Sequence, residues 1–413
     1  MSKLMTESSP AKLRICLLSK ADRYGGGASK IAEQLAHNLT AAGHKVTHLS
    51  RSSRQGFNQI NQPLYGSCEK LIKKIHWHLR TLGFPELLPM ELPRLLLKKE
   101  FRDTDVFHFH DISGSISPFT LLILSYFKPV IWTAHDCSVI TAGCIHPLGC
   151  ERFNSQCGPC PQIGTWPLQS KFDFTRFLYH VKLYVLRHAS HLTLVSPSEW
   201  LKKMINQKVA IEVRVISNGI DQSVFHPISQ SVVRASLGIP EQAFVIAITA
   251  NSSRNVFKGF YNNLSVLKAL RKRNIRFTLL VIGRIDDTAQ QHLEAFTYLS
   301  TGFVDDASRM NEYLNAADIL LYCAEAENQP LGVIEATSTG LPVFGFDVGG
   351  VRECVPESDR HRFVKPSQRE ALVAQIEQHA AQPAKTAVDS FFSLQRMVDD
   401  YEKLYFSLAR KAR

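Results

Sequence analysis

Long hydrophobic runs are missing from this chain of 413 residues. The longest apolar stretch, Phe119 to Trp132, is interrupted by Lys128 and Pro129, and its roughly 14 residues are too few to span a bilayer. The first ten residues are polar and lack the apolar region of a signal peptide. We therefore expect neither a transmembrane helix nor export, and we predict a cytoplasmic protein.

Two common ligand-binding signatures are also absent. The glycine cluster Gly25 to Gly27 does not form the G-x-G-x-x-G fingerprint, so dinucleotide binding is not indicated. The chain has no motif of a nucleic-acid-binding module, and we expect no nucleic-acid partner. A length of 413 residues exceeds what one hydrophobic core usually supports, so two domains are expected.

Positive charge is concentrated in the first half of the chain. Residues 1–210 hold 26 Lys plus Arg against 14 Asp plus Glu, whereas residues 211–413 hold 22 against 23. The basic runs Lys70 to Lys74 and Arg94 to Lys99 mix cations with apolar residues. This mixture favours association with an anionic membrane surface or a polyanionic acceptor. A solvated basic face is the alternative.

Strand and helix patterns alternate along the chain, which predicts an α/β fold. Arg14 to Ser19 is predicted to form the first strand, and Ala28 to Ala42 has the apolar spacing of a helix. Between them, Gly25 to Gly27 would let backbone N–H groups approach an anion, although a bare turn is the simpler interpretation. Later strands are predicted at Phe277 to Ile282 and Thr301 to Val304.

Glu327 and Glu335 lie eight positions apart, between the strand-like runs Ile319 to Tyr322 and Leu341 to Phe346. The first falls in a loop after a strand, and the second falls in the helix that follows. Carboxylate oxygens and helix-terminal N–H groups would then meet at the carboxyl edge of a parallel sheet, where α/β folds bind ligands. The alternative is two surface glutamates at a helix start, where acidic residues are favoured.

Other polar groups also follow predicted strands. His110 ends one such segment, and His135 and Asp136 follow the next. An imidazole or carboxylate at a strand end can meet a sugar hydroxyl, or it can make an ordinary structural hydrogen bond. Lys258 precedes a predicted helix, where its charge can neutralise the phosphate oxygens of a leaving diphosphate.

Four of the nine cysteines are clustered in the order C-x5-C-x6-C-x2-C. Disulfides are disfavoured in the cytosol, and thiolates with a C-x2-C element suit tetrahedral zinc. We expect a structural zinc site, with His146 as an alternative ligand. Free thiols and redox-formed disulfides are the competing interpretations. The four residues are Cys144, Cys150, Cys157 and Cys160.

Taken together, these segments resemble retaining glycosyltransferases of family 4, which have the GT-B fold. The resemblance extends from Gly25 to Tyr405 with order and spacing preserved. It includes the E-x7-E segment and Asn218-Gly-Ile-Asp221 followed by Phe225. The segment Cys157-Gly-Pro-Cys-Pro161 is similar to one branch of the family that has a cysteine-rich insertion.

The resemblance implies two Rossmann-like domains that face each other across a cleft. The first, on the acceptor side, would span 1–228 and would carry the cysteine-rich insertion at 144–160. A nucleotide-sugar-binding domain would span 229–385. A terminal helix within 386–413 would return to the first domain.

The resemblance also implies a role for each candidate residue. Glu335 would hold the ribose of a nucleotide sugar, Glu327 would hold the transferred sugar, and Lys258 would stabilise the departing diphosphate. His135 would contact the sugar near its C6 hydroxyl, with His110 and Asp136 on the acceptor side. The other donor-binding candidates are a glycine loop, an arginine and the segment beside Glu327: Gly26, Gly27, Arg254, Asn328, Gln329, Pro330, Leu331 and Gly332.

The implied reaction moves a sugar from a nucleotide-sugar donor to a glycan or lipid-linked acceptor, with retention of configuration, in surface polysaccharide biosynthesis. The protein would then work on the inner face of the membrane. The sequence offers no convincing carboxylate nucleophile, so front-side attack assisted by the leaving phosphate is the working hypothesis. No catalytic cofactor is expected, because Lys258 and helix dipoles would carry the charge.

The chain departs from the family at one position. The family arginine six residues before Lys258 is replaced by Ser252, and Arg254 lies only four residues before that lysine. This departure motivates an alternative function, a non-catalytic scaffold or binding subunit of a polysaccharide assembly complex. A nucleotide-sugar epimerase of the same fold is a further alternative, but neither the cysteine insertion nor the basic first half is expected of it.

Overall fold

Two parallel β-sheets form the frame of the protein. A computed structural model describes residues 12–251, 256–388 and 390–411. The first sheet has seven strands in the order β3-β2-β1-β4-β5-β6-β7. Its strands are β1 (Arg14–Ala21), β2 (Lys45–Ser52), β3 (Asn61–Pro63), β4 (Val106–Phe109), β5 (Val130–Thr133), β6 (Leu192–Ser196) and β7 (Val213–Val215).

The second sheet has six strands in the order β10-β9-β8-β11-β12-β13. All strand pairs in both sheets are parallel. The α/β architecture predicted from the sequence is therefore confirmed. The strands are β8 (Val245–Asn251), β9 (Thr278–Arg284), β10 (Tyr298–Ser300), β11 (Ile319–Tyr322), β12 (Val343–Phe346) and β13 (Phe363–Val364).

Helices cover both faces of each sheet. Those of the first half are α1 (Gly27–Ala41), α2 (Glu69–Thr81), α3 (Leu92–Leu97), α4 (Lys99–Arg102), α5 (Pro118–Ser125), α6 (Thr175–His188) and α7 (Glu199–Asn206). Those of the second half are α8 (Gln230–Leu237), α9 (Phe260–Lys272), α10 (Asp287–Leu293), α11 (Ala307–Ala316), α12 (Leu331–Ser338), α13 (Arg369–Ala381) and α14 (Leu394–Lys411). None of these helices is both long enough and apolar enough to cross a membrane, as far as the described residues extend.

Burial explains the composition of the central strands. β4 and β11 are buried along their whole length, as expected for parallel strands covered on both faces. In each sheet the strand order reverses between the first strand and its neighbour, β4 or β11. The carboxyl ends of these strands border a crevice in such folds. The loops that carry the candidate residues leave the sheets at these ends.

The last helix packs on the first sheet rather than the second. Tyr401 and Tyr405 of α14 are buried in the same hydrophobic cluster as residues of β1 and α1. The chain crosses back beside Ile220, whose N–H donates to the Phe392 carbonyl at 2.9 Å. The Leu394 N–H in turn donates to the Ile220 carbonyl at 2.8 Å.

The strand predicted at Thr301 to Val304 is misplaced. The structure has β10 just before this segment, and only an isolated antiparallel bridge links Gly302 to Gly283. Gly302 has φ +67°, a left-handed conformation that a strand cannot contain. The apolar residues Phe303 and Val304 therefore belong to the loop after the strand.

Candidate active site

Glu327 lies in the loop after β11 and shares one oxygen with two donors. The Tyr322 hydroxyl donates to its Oε1 at 3.0 Å, and the Lys258 ammonium donates to the same atom. Burial would raise the pKa of Glu327, but the charge of Lys258 and these hydrogen bonds outweigh burial and lower that pKa. The carboxylate is therefore charged at neutral pH and available as an acceptor.

A glycine turn sets the position of Lys258. Lys258 ends a short 3-10 turn, and Gly259, with φ +67°, leads into α9. A Cβ at Gly259 would lie 1.8 Å from the Cys323 carbonyl oxygen, so only glycine allows this close approach to the end of β11. The Lys258 side chain, 36% exposed, thus stands at the amino end of a helix. Arg254 and Ser252 lie outside the described residues.

Glu335 is held by a lysine from the other domain. The Lys30 ammonium on α1 donates to Glu335 Oε1 at 2.7 Å, and the Glu335 side chain is only 9% exposed. Lys30 lies one turn after the glycine loop, in which Gly26 has φ +115°. Gly27 faces α12, since a Cβ there would lie 3.7 Å from Leu331 Cδ1. The glycine loop and Glu335 therefore border one crevice.

Asn328 and Gln329 use their side chains to join the two domains. Asn328 accepts a hydrogen bond from the Ser198 hydroxyl and donates to the His135 carbonyl at 3.0 Å. Gln329 accepts a hydrogen bond from the Asn218 N–H at 2.6 Å. Both side chains are buried, and the Gln329 Nε2 has no hydrogen-bond partner among the described residues.

The amino end of α12 completes this side of the crevice. Pro330 is the residue before the first turn of the helix, and Leu331 and Gly332 begin it. A Cβ at Gly332 would meet no atom within 4 Å, so the backbone here borders open space. The first N–H groups of a helix have no partners within it and favour anionic ligands.

His135 follows β5 in the first domain, and its carbonyl accepts the Asn328 side chain at 3.0 Å. Its Nε2 lies 3.0 Å from His110 Nδ1, and the two rings stack with centroids 5.3 Å apart. Burial lowers the pKa of His135 to about 4, against an opposing effect of Asp111. Burial also lowers the pKa of His110 well below its usual value. Both rings are therefore neutral at neutral pH, and one proton is shared between them.

His108, whose ring lies against this pair, is hydrogen-bonded to the C-terminal helix. The two ring nitrogens of His108 lie 2.7 Å from the hydroxyls of Tyr405 and Thr133. The Thr133 hydroxyl is 2.9 Å from that of Tyr401. The His108 ring lies against His110, with centroids 4.1 Å apart. The one sequence signal for this arrangement is the H-x-H spacing of His108 and His110 at the end of β4.

Asp136 has a local structural contact. Its carboxylate accepts the Ser138 N–H at 2.8 Å and so caps the short turn Cys137–Val139. Burial, with Asp111 nearby, raises the pKa of Asp136 above its ordinary value. Asp111 itself forms an ion pair with Lys20 at 2.8 Å. These groups line the first-domain side of the crevice.

The four clustered cysteines surround a small cavity. Cys144, Cys150, Cys157 and Cys160 are free thiols that line a space of about 20 Å³. Within the described residues, no three His, Cys, Asp or Glu side chains are arranged to hold a metal ion, so the thiols as placed here do not form a zinc site. His146 lies elsewhere, with its ring centroid 5.5 Å from that of Phe257. Zinc binding stays a prediction.

Two facing parallel α/β units with a ligand crevice between them define the GT-B fold. The family model described as "Glycosyltransferase Family 4" matches residues 25–224, and that described as "Glycosyl transferases group 1" matches residues 243–382. Each match falls on one of the two sheets. The chain is therefore a glycosyltransferase with the GT-B fold.

Individual proteins agree with this assignment. The putative colanic acid biosynthesis glycosyl transferase WcaC of Escherichia coli is 24% identical over 93% of this chain and 91% of its own length. The D-inositol 3-phosphate glycosyltransferase of Arthrobacter sp. is 21% identical, over 80% of this chain and 76% of its own. Each alignment spans both sheets.

Solved structures show the same fold. Sucrose-phosphate synthase from Thermosynechococcus elongatus superposes with a TM-score of 0.64 at 18% identity, covering 96% of this chain and 99% of that one. Anabaena Alr3699/HepE, in complex with UDP and glucose, superposes with a TM-score of 0.63 at 15% identity, covering 96% of this chain and all of that one.

Proposed function

We propose that the protein is a retaining glycosyltransferase that moves a sugar from a nucleotide-sugar donor to a glycan or lipid-linked acceptor. The observation that carries this proposal is the pairing of Lys258 with Glu327 at a helix start, beside Asn328, whose side chain donates to the His135 carbonyl. A cation for the diphosphate and a carboxylate for sugar hydroxyls thus lie side by side. The donor complexes of Alr3699/HepE support a nucleotide-sugar donor.

In this proposal the donor replaces the internal ion pairs of the crevice. The Lys258 ammonium turns from Glu327 to the diphosphate, and the carboxylate then accepts hydrogen bonds from the transferred sugar. The ribose hydroxyls take the place of Lys30 at Glu335. His135 hydrogen-bonds the sugar near its C6 hydroxyl. Each buried carboxylate thus exchanges an ammonium for hydroxyl donors, and Lys258 exchanges a carboxylate for the diphosphate, while Lys30, 34% exposed, is left to solvent.

The chemical step needs no protein nucleophile. The bond between the sugar C1 and the leaving phosphate oxygen breaks, while the acceptor oxygen bonds to C1 on the same face. The acceptor hydroxyl gives its proton to the departing phosphate oxygen. Lys258 and the helix starts stabilise the negative charge that develops on the diphosphate. No catalytic cofactor is required by this step.

We place the acceptor on the basic first domain, in surface polysaccharide biosynthesis at the inner face of the membrane. The names of WcaC and of the teichuronic acid glycosyltransferase TuaC of Bacillus subtilis support this pathway class. On α2, Leu71 and Trp77 are 61% and 58% exposed beside the exposed Lys70 and Lys74. Co-sedimentation with anionic vesicles, weakened by added salt and by Trp77→Ala, is the expected result.

A donor screen tests the proposal. Nucleoside diphosphate release would be followed from a panel of UDP-, GDP- and ADP-sugars, with Glu327→Gln as the test variant. Glu294→Gln is the matched control, because Glu294 is an exposed carboxylate of the same domain, just after α10 and outside this loop. Release from one donor, lost only in Glu327→Gln, is expected. Neither release nor binding of any donor would favour the scaffold function instead.

A further inference from the structure

An open pocket of about 400 Å³ lies beside Glu327. The second domain contributes Glu325 to Glu327 and Gly349 to its lining. The first domain contributes two segments, one within the cysteine-rich insertion and one on α7, where Trp200 and Met204 line the pocket. This volume is within the range of sites that bind small ligands. The insertion therefore borders the candidate active site directly.

His146 is the residue of the insertion closest to the chemistry. Its side chain is buried, and its Nδ1 lies 3.9 Å from Cys137 Sγ, which leaves Nε2 as the ring nitrogen for a ligand. The charges of Asp136 and Glu327 raise its pKa against the effect of burial, which lowers it. His146 in turn helps to lower the pKa of Glu327. Both side chains line the same pocket, so both can contact one ligand.

The walls of the pocket are held in place. Glu353 of the second domain accepts the N–H groups of Glu199 and Trp200, at 2.7 and 2.8 Å, and so fixes the start of α7. Cys150 and Phe153 line both this pocket and the thiol cavity. The thiol cavity and the pocket are therefore neighbours, separated by Cys150 and Phe153.

The lining has the chemistry of a carbohydrate site. Trp200 and Phe153 offer aromatic surface, and His146 and Asn154 offer hydrogen-bonding groups. Three glutamates line the pocket, and none of its described lining residues is a lysine or arginine. A sugar carboxylate placed here would meet three like charges, and Lys258, which pairs with Glu327, is taken up by the diphosphate in the proposed function. The lining therefore favours an uncharged sugar.

The geometry points to a specificity site for the transferred sugar. Resting on the proposed function, we propose that this pocket receives the donor's sugar, that the sugar is neutral rather than a uronic acid, and that the cysteine-rich insertion selects it through His146 and Asn154. The insertion is then a part of the donor site as well as a structural element.

Binding calorimetry on the full-length protein tests this proposal. The probes are free UDP and GDP and two donor pairs, UDP-glucose with UDP-glucuronic acid and GDP-mannose with GDP-mannuronic acid. The wild type is expected to bind the neutral member of its preferred pair about tenfold more tightly or better. His146→Gln and Asn154→Ala are each expected to weaken that donor about 3- to 10-fold, with no change for the free nucleotide.

Controls separate this proposal from its alternatives. Asn154 is exposed, so its variant stays informative if His146→Gln does not fold. His76→Gln changes a buried histidine outside the pocket. It shows whether destabilising the first domain is by itself enough to weaken donor binding. Unchanged donor affinity in both pocket variants would overturn the proposal, as would a rise in acceptor KM alone. Failure of the wild type to bind any nucleotide would overturn the proposed function as well.

Discussion

In the crevice, Lys258 and Glu327 form an ion pair, so neither charge lacks a partner. The ammonium and the carboxylate satisfy each other, and Tyr322 adds a second donor to the same oxygen. Since Lys258 is 36% exposed and Glu327 13%, the pair is open to solvent on the lysine side. A diphosphate can therefore reach the lysine first.

Removal of this cation is the sharpest test at the residue scale. Lys258→Met is expected to lower kcat by about 10²- to 10³-fold, because the leaving diphosphate loses a positioned charge. Lys268→Met, on the exposed face of the same helix, is the matched control. Steady-state nucleoside diphosphate release measures both. Full turnover by Lys258→Met would show that another group stabilises the leaving group.

Sequence reasoning predicted some site residues and missed others for identifiable reasons. Glu327, Glu335 and Lys258 stand at loop and helix starts whose position follows from the strand pattern. Lys30 and the side-chain roles of Asn328 and Gln329 depend on how one domain meets the other. That geometry is fixed by contacts between residues far apart in sequence, which no local pattern contains.

At the scale of elements, α1 and α12 meet through the Lys30–Glu335 ion pair. If ribose hydroxyls compete with Lys30 for Glu335, Lys30→Met should strengthen nucleoside diphosphate binding by about two- to fivefold. The effect is small because Lys30 is 34% exposed, and such pairs contribute at most about 1 kcal/mol.

Repeating the Lys30→Met substitution in a Glu335→Gln variant tests whether the effect acts through Glu335. The gain from Lys30→Met should disappear when Glu335 is already Gln, since the competition no longer exists. Isothermal titration calorimetry on the four proteins gives the comparison. Weaker binding in Lys30→Met alone would mean that the lysine contacts the nucleotide itself.

The cysteine-rich insertion carries a separate prediction: its four thiols are not arranged as a metal site in the structure, but they line one small cavity and would have to close around zinc to bind it. We expect protein purified under reducing conditions to carry about one zinc ion, reduced by Cys157→Ser and unchanged by Cys68→Ser, which replaces an exposed cysteine outside the cluster. Burial raises the pKa of Cys144 to about 12, so metal binding must displace thiol protons and should weaken as the pH falls. Metal analysis measures it, and protein without metal would contradict the expectation.

Element boundaries show where the pattern of apolar residues is insufficient. β11 was predicted with its observed ends, because Ile319 to Tyr322 is a short buried run that begins directly after the charged Asp318. The error at Thr301 to Val304 arose because apolar residues there resemble a strand, while Gly302 in a left-handed conformation turns the backbone away. The pattern of apolar residues predicts the presence of a strand reliably. It predicts the residue at which the strand ends less reliably.

At the scale of the molecule, the first domain concentrates buried histidines as well as positive charge. The six whose pKa is lowered, in each case chiefly by burial, are His48, His76, His108, His110, His135 and His146. In the unfolded chain these groups bind protons near pH 6.5, but in the folded protein they do so only at lower pH. The free energy of unfolding should therefore fall as the pH falls from about 6.5 towards 4.

Each histidine contributes up to about 1.4 kcal/mol per pH unit in that window. Burial raises the pKa of Glu86 and Glu91 to about 7 and also raises that of Asp136, so these three carboxyls act in the opposite sense but are fewer. All four tryptophans lie in the first half of the chain, so denaturation followed by fluorescence reports on that domain. A midpoint that does not change between pH 7 and pH 5 would contradict this prediction.

The proposed function requires transfer with retention across the cleft, and the anomeric configuration of the product tests that requirement most directly. With the donor found in the screen and a matching acceptor, proton NMR of the first product shows the configuration at the new linkage. An α-linked nucleotide sugar should give an α-linked product, which wild type forms and Glu327→Gln does not. A β-linked product would contradict the front-side mechanism. Formation of the product by Glu327→Gln at the wild-type rate would contradict the site itself.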